Sequence, residues 1–163
     1  MWQRFLRKIT SFRRDDRGVQ LVELAIAIPI LIVLFAGVAE FGRYFQTYTT
    51  LAKGSRVAAR YLATARANGL DDPGAKNLVV YGNLAGTGSP IVNGLTVDNV
   101  NITRRNGVGD VTSGFPTTVT IQITNFKHTP VFDLGKLMNS SLSLNVDIKP
   151  SVTMRYLLTQ SPI

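Results

Sequence analysis

The chain has 163 residues, a formal net charge of +8 and no cysteine. That length suits one small domain beside a membrane helix, and the missing cysteines exclude a disulfide framework and any thiolate metal site. The charge invites a nucleic-acid reading, but half of it lies at the start, where Arg4, Arg7, Lys8, Arg13, Arg14 and Arg17 against Asp15 and Asp16 give +4.

Residues 1–18 read as a basic cytoplasmic leader. Set directly before an apolar run, these charges hold the amino terminus in the cytoplasm and send the rest of the chain across. Trp2, Phe5 and Phe12 interleave with the bases and can rest on an anionic lipid surface, although plain topogenic charge is the simpler reading.

From Leu24 to Ala39 the sequence holds no charge, with Glu23 before the run and Glu40 after it. A transmembrane helix over residues 19–42 is about 36 Å long at about 1.5 Å per residue, against a hydrocarbon core of about 30 Å. Pro29 removes one helical hydrogen bond, which membrane helices tolerate with a modest kink. Glu23 is the anomaly, since a carboxylate at the bilayer centre costs about 2.5–3.5 kcal/mol even on the insertion scale. It reads either as an interfacial glutamate or as the partner of a new amino terminus. A cut between Gly18 and Val19 would place an ammonium about 6 Å of helix below Glu23, where the two can pair within or between subunits. A secretory signal peptide cut after Gly37-Val38-Ala39 is the competing reading, but the run exceeds the usual length of about 7–15 residues and carries Glu23.

Residues 43–69 continue the helix in amphipathic form. Phe41, Tyr44, Phe45, Tyr48, Leu51, Ala52, Ser55, Ala58, Ala59 and Leu62 recur at steps of three and four, and the stripe ends near Arg66 to Gly69. Such a stripe packs on its own domain, with an additional role in subunit packing for Tyr44, Tyr48, Arg56, Arg60 and Tyr61. Arg56 and Arg60 otherwise read as a solvated basic ridge. Glu40 and Arg43, three apart, can pair where the chain leaves the lipid, so Glu40-Phe41-Gly42-Arg43 reads as a membrane-boundary motif.

Residues 70–163 form an extracytoplasmic α+β region. Asp72 can cap and Pro73 can start a short helix to about Tyr81, although Leu78-Val79-Val80-Tyr81 also suits a strand. Residues 83–94 are a glycine-rich connector. Leu95 and Val97, then Val100 and Ile102, alternate with a slip at Asp98-Asn99 that suggests a bulge, and Asn106-Gly107 supplies turn chemistry. Val119, Ile121 and Ile123 make the cleanest strand. After a connection over residues 130–138, Leu142, Leu144, Val146 and Ile148, then Val152, Met154, Tyr156 and Leu158, keep one parity, with Pro150 at an edge or a break. Three or four antiparallel strands with one apolar face need a cover, and the amphipathic helix can provide it.

Chemistry is sparse. His128 reads as a loop histidine, the carboxylates have no metal-ligand spacing, and Gly107 and Gly109 follow no phosphate-binding pattern. No catalytic residue, metal or cofactor is expected, and an enzyme is not the favoured reading.

A basic leader ending in Gly18, glutamate at the fifth position after it and an apolar helix resemble the processing site of type IV pilin precursors. More narrowly, Val22-Glu23-Leu24-Ala25 with Pro29, then Glu40-Phe41-Gly42-Arg43, then Ser55-Arg56-Val57-Ala58-Ala59-Arg60-Tyr61 resembles the TadE-like family of tight-adherence (Tad/Flp) pilus systems. The family often carries acidic-glycine where this chain has Val57-Ala58, so that acid has no counterpart here. The resemblance implies a type IV pilin-like fold, a long amino-terminal helix packed on a small antiparallel sheet. It implies a minor pilin or pseudopilin that helps pilus biogenesis and surface attachment, cut by a prepilin peptidase at Gly18–Val19, with Glu23 meeting the new amino terminus. Implied partners are the inner membrane, other pilin-like subunits and the pilus assembly platform, with the carboxyl-terminal domain periplasmic and a later place on the cell surface. No nucleic acid or small-molecule substrate is expected. An uncleaved single-pass scaffold of the assembly machinery is the alternative, and a DNA-capturing minor pilin a third, resting only on the +4 outside residues 1–18.

Overall fold

The computed structural model describes residues 16–65, 67–111, 116–137, 139, 143 and 145–157. Most of the leader (residues 1–15) lies outside them, as do Leu142, Leu144 and Leu158 of the last strand pattern. The chain divides into two compact units, Met1–Ala39 and Glu40–Ile163. The described part of the first is helix α1, which begins at Asp16, passes through Pro29 and continues to Ala63.

The second unit is α+β. It holds the rest of α1, helix α2 (Asp72–Tyr81), a 3-10 turn (Val97–Asn99), strands β1 (Val100–Arg105) and β2 (Thr118–Ile123), a single-turn helix α3 (Leu134–Leu137) and strand β3 (Ser151–Arg155). The sheet is antiparallel with β2 in the centre. Its register sets Val100 against Ile123, Ile102 against Ile121 and Val119 against Met154, so one face is apolar. The other presents Asn101, Thr103, Thr118, Thr120, Gln122, Ser151 and Thr153, with Thr120 and Thr153 hydroxyls 2.8 Å apart. Period-two patterning of this kind leaves one sheet face in water and buries the other.

The buried face meets the later turns of α1. Leu51, Ala58, Ala59 and Leu62 of α1, Ala75, Val79 and Val80 of α2, Leu95, and Val100, Val119, Ile121, Ile123, Phe126 and Ile148 form one core. A side chain added at Gly54 would meet the Val79 backbone at 3.4 Å, so glycine there admits α2 against α1. The buried part of the amphipathic stripe begins at Leu51, Tyr44 lies partly buried against the same core, and Phe41, Phe45 and Tyr48 are exposed.

Several expected elements are corrected. Helix α1 stops at Ala63 rather than near Arg66, because Thr64 and Ala65 donate to the carbonyls of Tyr61 and Leu62 and tighten the last turn. The Ala63 carbonyl instead accepts from Leu157 N at 2.9 Å, tying the helix end to the chain after β3. The segment open to helix or strand is helix α2, started by Pro73 and ended at Gly82, whose φ of 74° suits glycine. Asp71, not Asp72, holds its N-cap position. The expected strand at Leu95 and Val97 is replaced by a tight turn: the Asn99 side-chain oxygen accepts from Thr96 N and Oγ1, both at 2.9 Å, and its amide donates to the Thr124 and Asn125 carbonyls. The slip in the pattern is this turn, not a bulge. Pro150 precedes β3, an edge strand, and gives its carbonyl to Ile123 N.

Candidate functional site

In the first unit every turn of α1 exposes apolar side chains. Val19, Val22, Leu24, Ile26, Ile30, Phe35 and Val38 all lie open. In water this surface would be strongly unfavourable, and among the described residues α1 alone is long and apolar enough to cross a bilayer. Among the described residues nothing beyond its own helix turn and neighbours crowds the place a side chain would take at Gly18, and Glu23, one turn above Val19, is exposed on the same helix.

In the second unit Glu40 is 2% exposed, although it follows the apolar run directly. Its Oε1 lies 2.9 Å from His128 Nε2, and its Oε2 accepts from Val131 N at 3.2 Å and Phe132 N at 3.3 Å. An ionised carboxylate only accepts, so the imidazole presents N–H at Nε2. Tyr44 packs edge-on against the His128 ring with centroids 5.5 Å apart and also faces Phe41 at 6.5 Å. Arg43 reaches Oε2 only at 3.7 Å from a half-exposed position. The pairing expected within Glu40-Phe41-Gly42-Arg43 is therefore present but secondary. The principal partner is His128, which lies in a loop as expected but is buried, at 5% exposure. Burying a carboxylate is tolerable only with such partners.

The remaining expected site residues scatter along α1. Phe41 is exposed, and Gly42 has open space where a side chain would lie. Tyr48 is 40% exposed, and Arg56 and Arg60 point to solvent. Tyr61 is partly buried and donates to Asp71 Oδ1 at 3.1 Å; burial, then the Asp71 carboxylate, raises its phenol above the ordinary range.

A second charged pair was not singled out by sequence reasoning. Arg104 of β1 binds the Asp72 carboxylate through Nη1 at 3.0 Å and through Nη2, and donates Nε to Tyr156 Oη at 2.9 Å. Asp72, ahead of Tyr156, holds its guanidinium charged well above the usual range. Asp72 thereby serves the first turn of α2 and the sheet together.

A cleft of about 540 Å³ opens beside His128, lined by Arg43, Thr47 and Thr50 of α1, by Ile91–Gly94 and by Lys127. Among the described residues no group of three histidines or carboxylates could hold a metal ion. The geometry buries Glu40 and His128 together with their hydrogen bonds satisfied and leaves the apolar turns of the first unit exposed.

A spanning-length uncovered helix leading into an α+β unit defines a membrane-associated protein. The family described as TadE-like protein matches residues 18–60, from the glycine of the expected cleavage site into the core-forming turns of α1. That segment is similar to TadE-like proteins, a likeness that covers about a quarter of the chain. No curated protein and no solved structure matches the chain.

Proposed function

We propose that this chain is a structural minor pilin or pseudopilin of a tight-adherence pilus system. It enters the inner membrane with its amino terminus cytoplasmic and its α+β unit outside, and a prepilin peptidase cuts between Gly18 and Val19. Glu23 then pairs with the new amino group, within the subunit or on a neighbour, as subunits pack through their apolar helices. The observation that carries this reading is the family match beginning at Gly18 and running along an exposed apolar helix, in which Glu23 is the one carboxylate between Gly18 and Ala39. In lipid an unpaired carboxylate is unfavourable, so an ammonium about 6 Å of helix away is a suitable partner. The proposed partners are other pilin-like subunits, the assembly platform and the peptidase, and the proposed role is pilus biogenesis and surface attachment.

Replacing Glu23 with Ala tests this. Membrane insertion should persist, because the change makes the span more apolar, while pilus assembly should fail. Normal piliation in that variant would remove Glu23 from assembly. The uncleaved scaffold remains as a second reading because α1 begins at Asp16 and runs unbroken through Gly18 and Val19, with no unwound segment at the bond to be cut.

A further inference from the structure

The loop that Glu40 holds is apolar at its tip. Val131 is 67% exposed and Phe132 57% exposed, yet their backbone N–H groups are bound to the carboxylate of the residue that immediately follows the apolar run. Phe41, the next residue of α1, is 60% exposed. Exposed valine and phenylalanine at a loop tip are unfavourable in water, and Lys136 and Arg43 nearby are solvent-accessible cations. Apolar tips flanked by cations suit the headgroup boundary of a bilayer, where apolar side chains enter about 5–10 Å and bases meet phosphates.

We propose that the Val131-Phe132 tip is a second membrane contact, inserted in the outer interface beside the point where α1 leaves the hydrocarbon. This rests on residues 24–39 crossing the bilayer. Glu40 lies about 1.5 Å of helix rise beyond Ala39 and so sits at the boundary. Its two hydrogen bonds hold the tip at that depth, while His128 and the loop keep its own charge out of lipid. The buried glutamate thus anchors the tip within its own unit, and the occupant of the apolar tip is lipid.

The full chain reconstituted in phosphatidylcholine–phosphatidylglycerol vesicles provides the test. The sole tryptophan, Trp2, is replaced by Phe, and single reporters are placed as Phe132→Trp, Val38→Trp and Val108→Trp. Val108 is equally apolar and 88% exposed, but lies in the Asn106–Gly109 turn without a bond to Glu40. Lipids carrying a quencher in the upper acyl chain should quench position 132 at least on the order of half as strongly as position 38, as an interfacial depth of about 5–10 Å requires, and leave position 108 unquenched. Quenching at 38 but not at 132 would overturn the wedge and leave the membrane span standing. No quenching at 38 would overturn both. A blue shift at 132 that grows with protein-to-lipid ratio without lipid quenching would assign the tip to a second copy and also overturn the proposal.

Discussion

Removing the Glu40 carboxylate should be among the most damaging single changes in the folded unit. In Glu40→Ala, His128 Nε2 and the N–H groups of Val131 and Phe132 lose their acceptor. An orphaned buried donor costs about 1–3 kcal/mol. The two amides belong to exposed residues and can rehydrate once released, so each falls at the low end, whereas His128 is buried beneath Tyr44. The expected loss is about 3–4 kcal/mol, within the range of about 3–5 for removing one partner of a buried pair. Against a typical total of about 5–15 kcal/mol, that is a large share. Arg43, at 3.7 Å and half exposed, contributes at most about 1 kcal/mol, so Arg43→Ala should be nearly silent. Denaturant unfolding of the full chain in nanodiscs, followed by the sheet signal, gives the magnitudes, and hydrogen exchange at 131 and 132 reports release of the loop. Glu40→Ala and His128→Ala together should cost less than their sum by about 1–2 kcal/mol, because they share one bond. A Glu40→Ala loss below about 1 kcal/mol would equal that of an exposed surface pair and refute a buried anchor.

Arg104→Ala should destabilise the unit by about 2 kcal/mol, and Arg104→Lys should recover little, because an ammonium cannot bridge both Asp72 oxygens and Tyr156; equal stability of the lysine variant and the native chain would contradict this. Ser55 is fully buried and its hydroxyl has no hydrogen-bond partner among the described residues, so Ser55→Ala should stabilise by about 1 kcal/mol in the same unfolding assay, and a comparable loss would mean the hydroxyl is bonded. The Tyr61 phenol has its folded value raised, so its contribution is fully present below the unfolded value of about 10 and is lost as pH rises through the raised folded one. Tyrosinate absorbance should show a late-titrating group that Tyr61→Phe deletes; an unchanged curve would refute the assignment.

What could be read from the sequence was what short-range periodicity encodes. The alternation of Val119, Ile121 and Ile123 located the central strand, and steps of three and four from Leu51 to Leu62 located the helix face that meets it. The family resemblance, carried by Gly18, Glu23 and Pro29 and by the Glu40–Arg43 and Ser55–Tyr61 stretches, lies along one continuous helix and overlaps the segment found by comparison. Other features depend on partners far away in the chain. Glu40 and His128 are 88 positions apart, and neither a boundary glutamate nor a loop histidine carries a local sign of the other. Likewise Arg104 and Asp72 join only when β1 docks beside α2. Phe41 and Phe45 fit the period of the stripe yet are exposed, whereas Tyr44 between them packs against the core. Val97-Asp98-Asn99 satisfied a strand's alternation on either side, but the Asn99 side chain replaces ladder bonds with a turn.

The most direct measurement is the amino-terminal sequence and intact mass of the protein recovered from membranes of cells that carry the pilus system. A chain starting at Val19 is the expected result and would establish prepilin-type processing, with Glu23 one helical turn from a new ammonium. A chain retaining Gly18 and the basic residues before it would contradict processing and favour the scaffold, and one starting at Glu40 would contradict the membrane span itself.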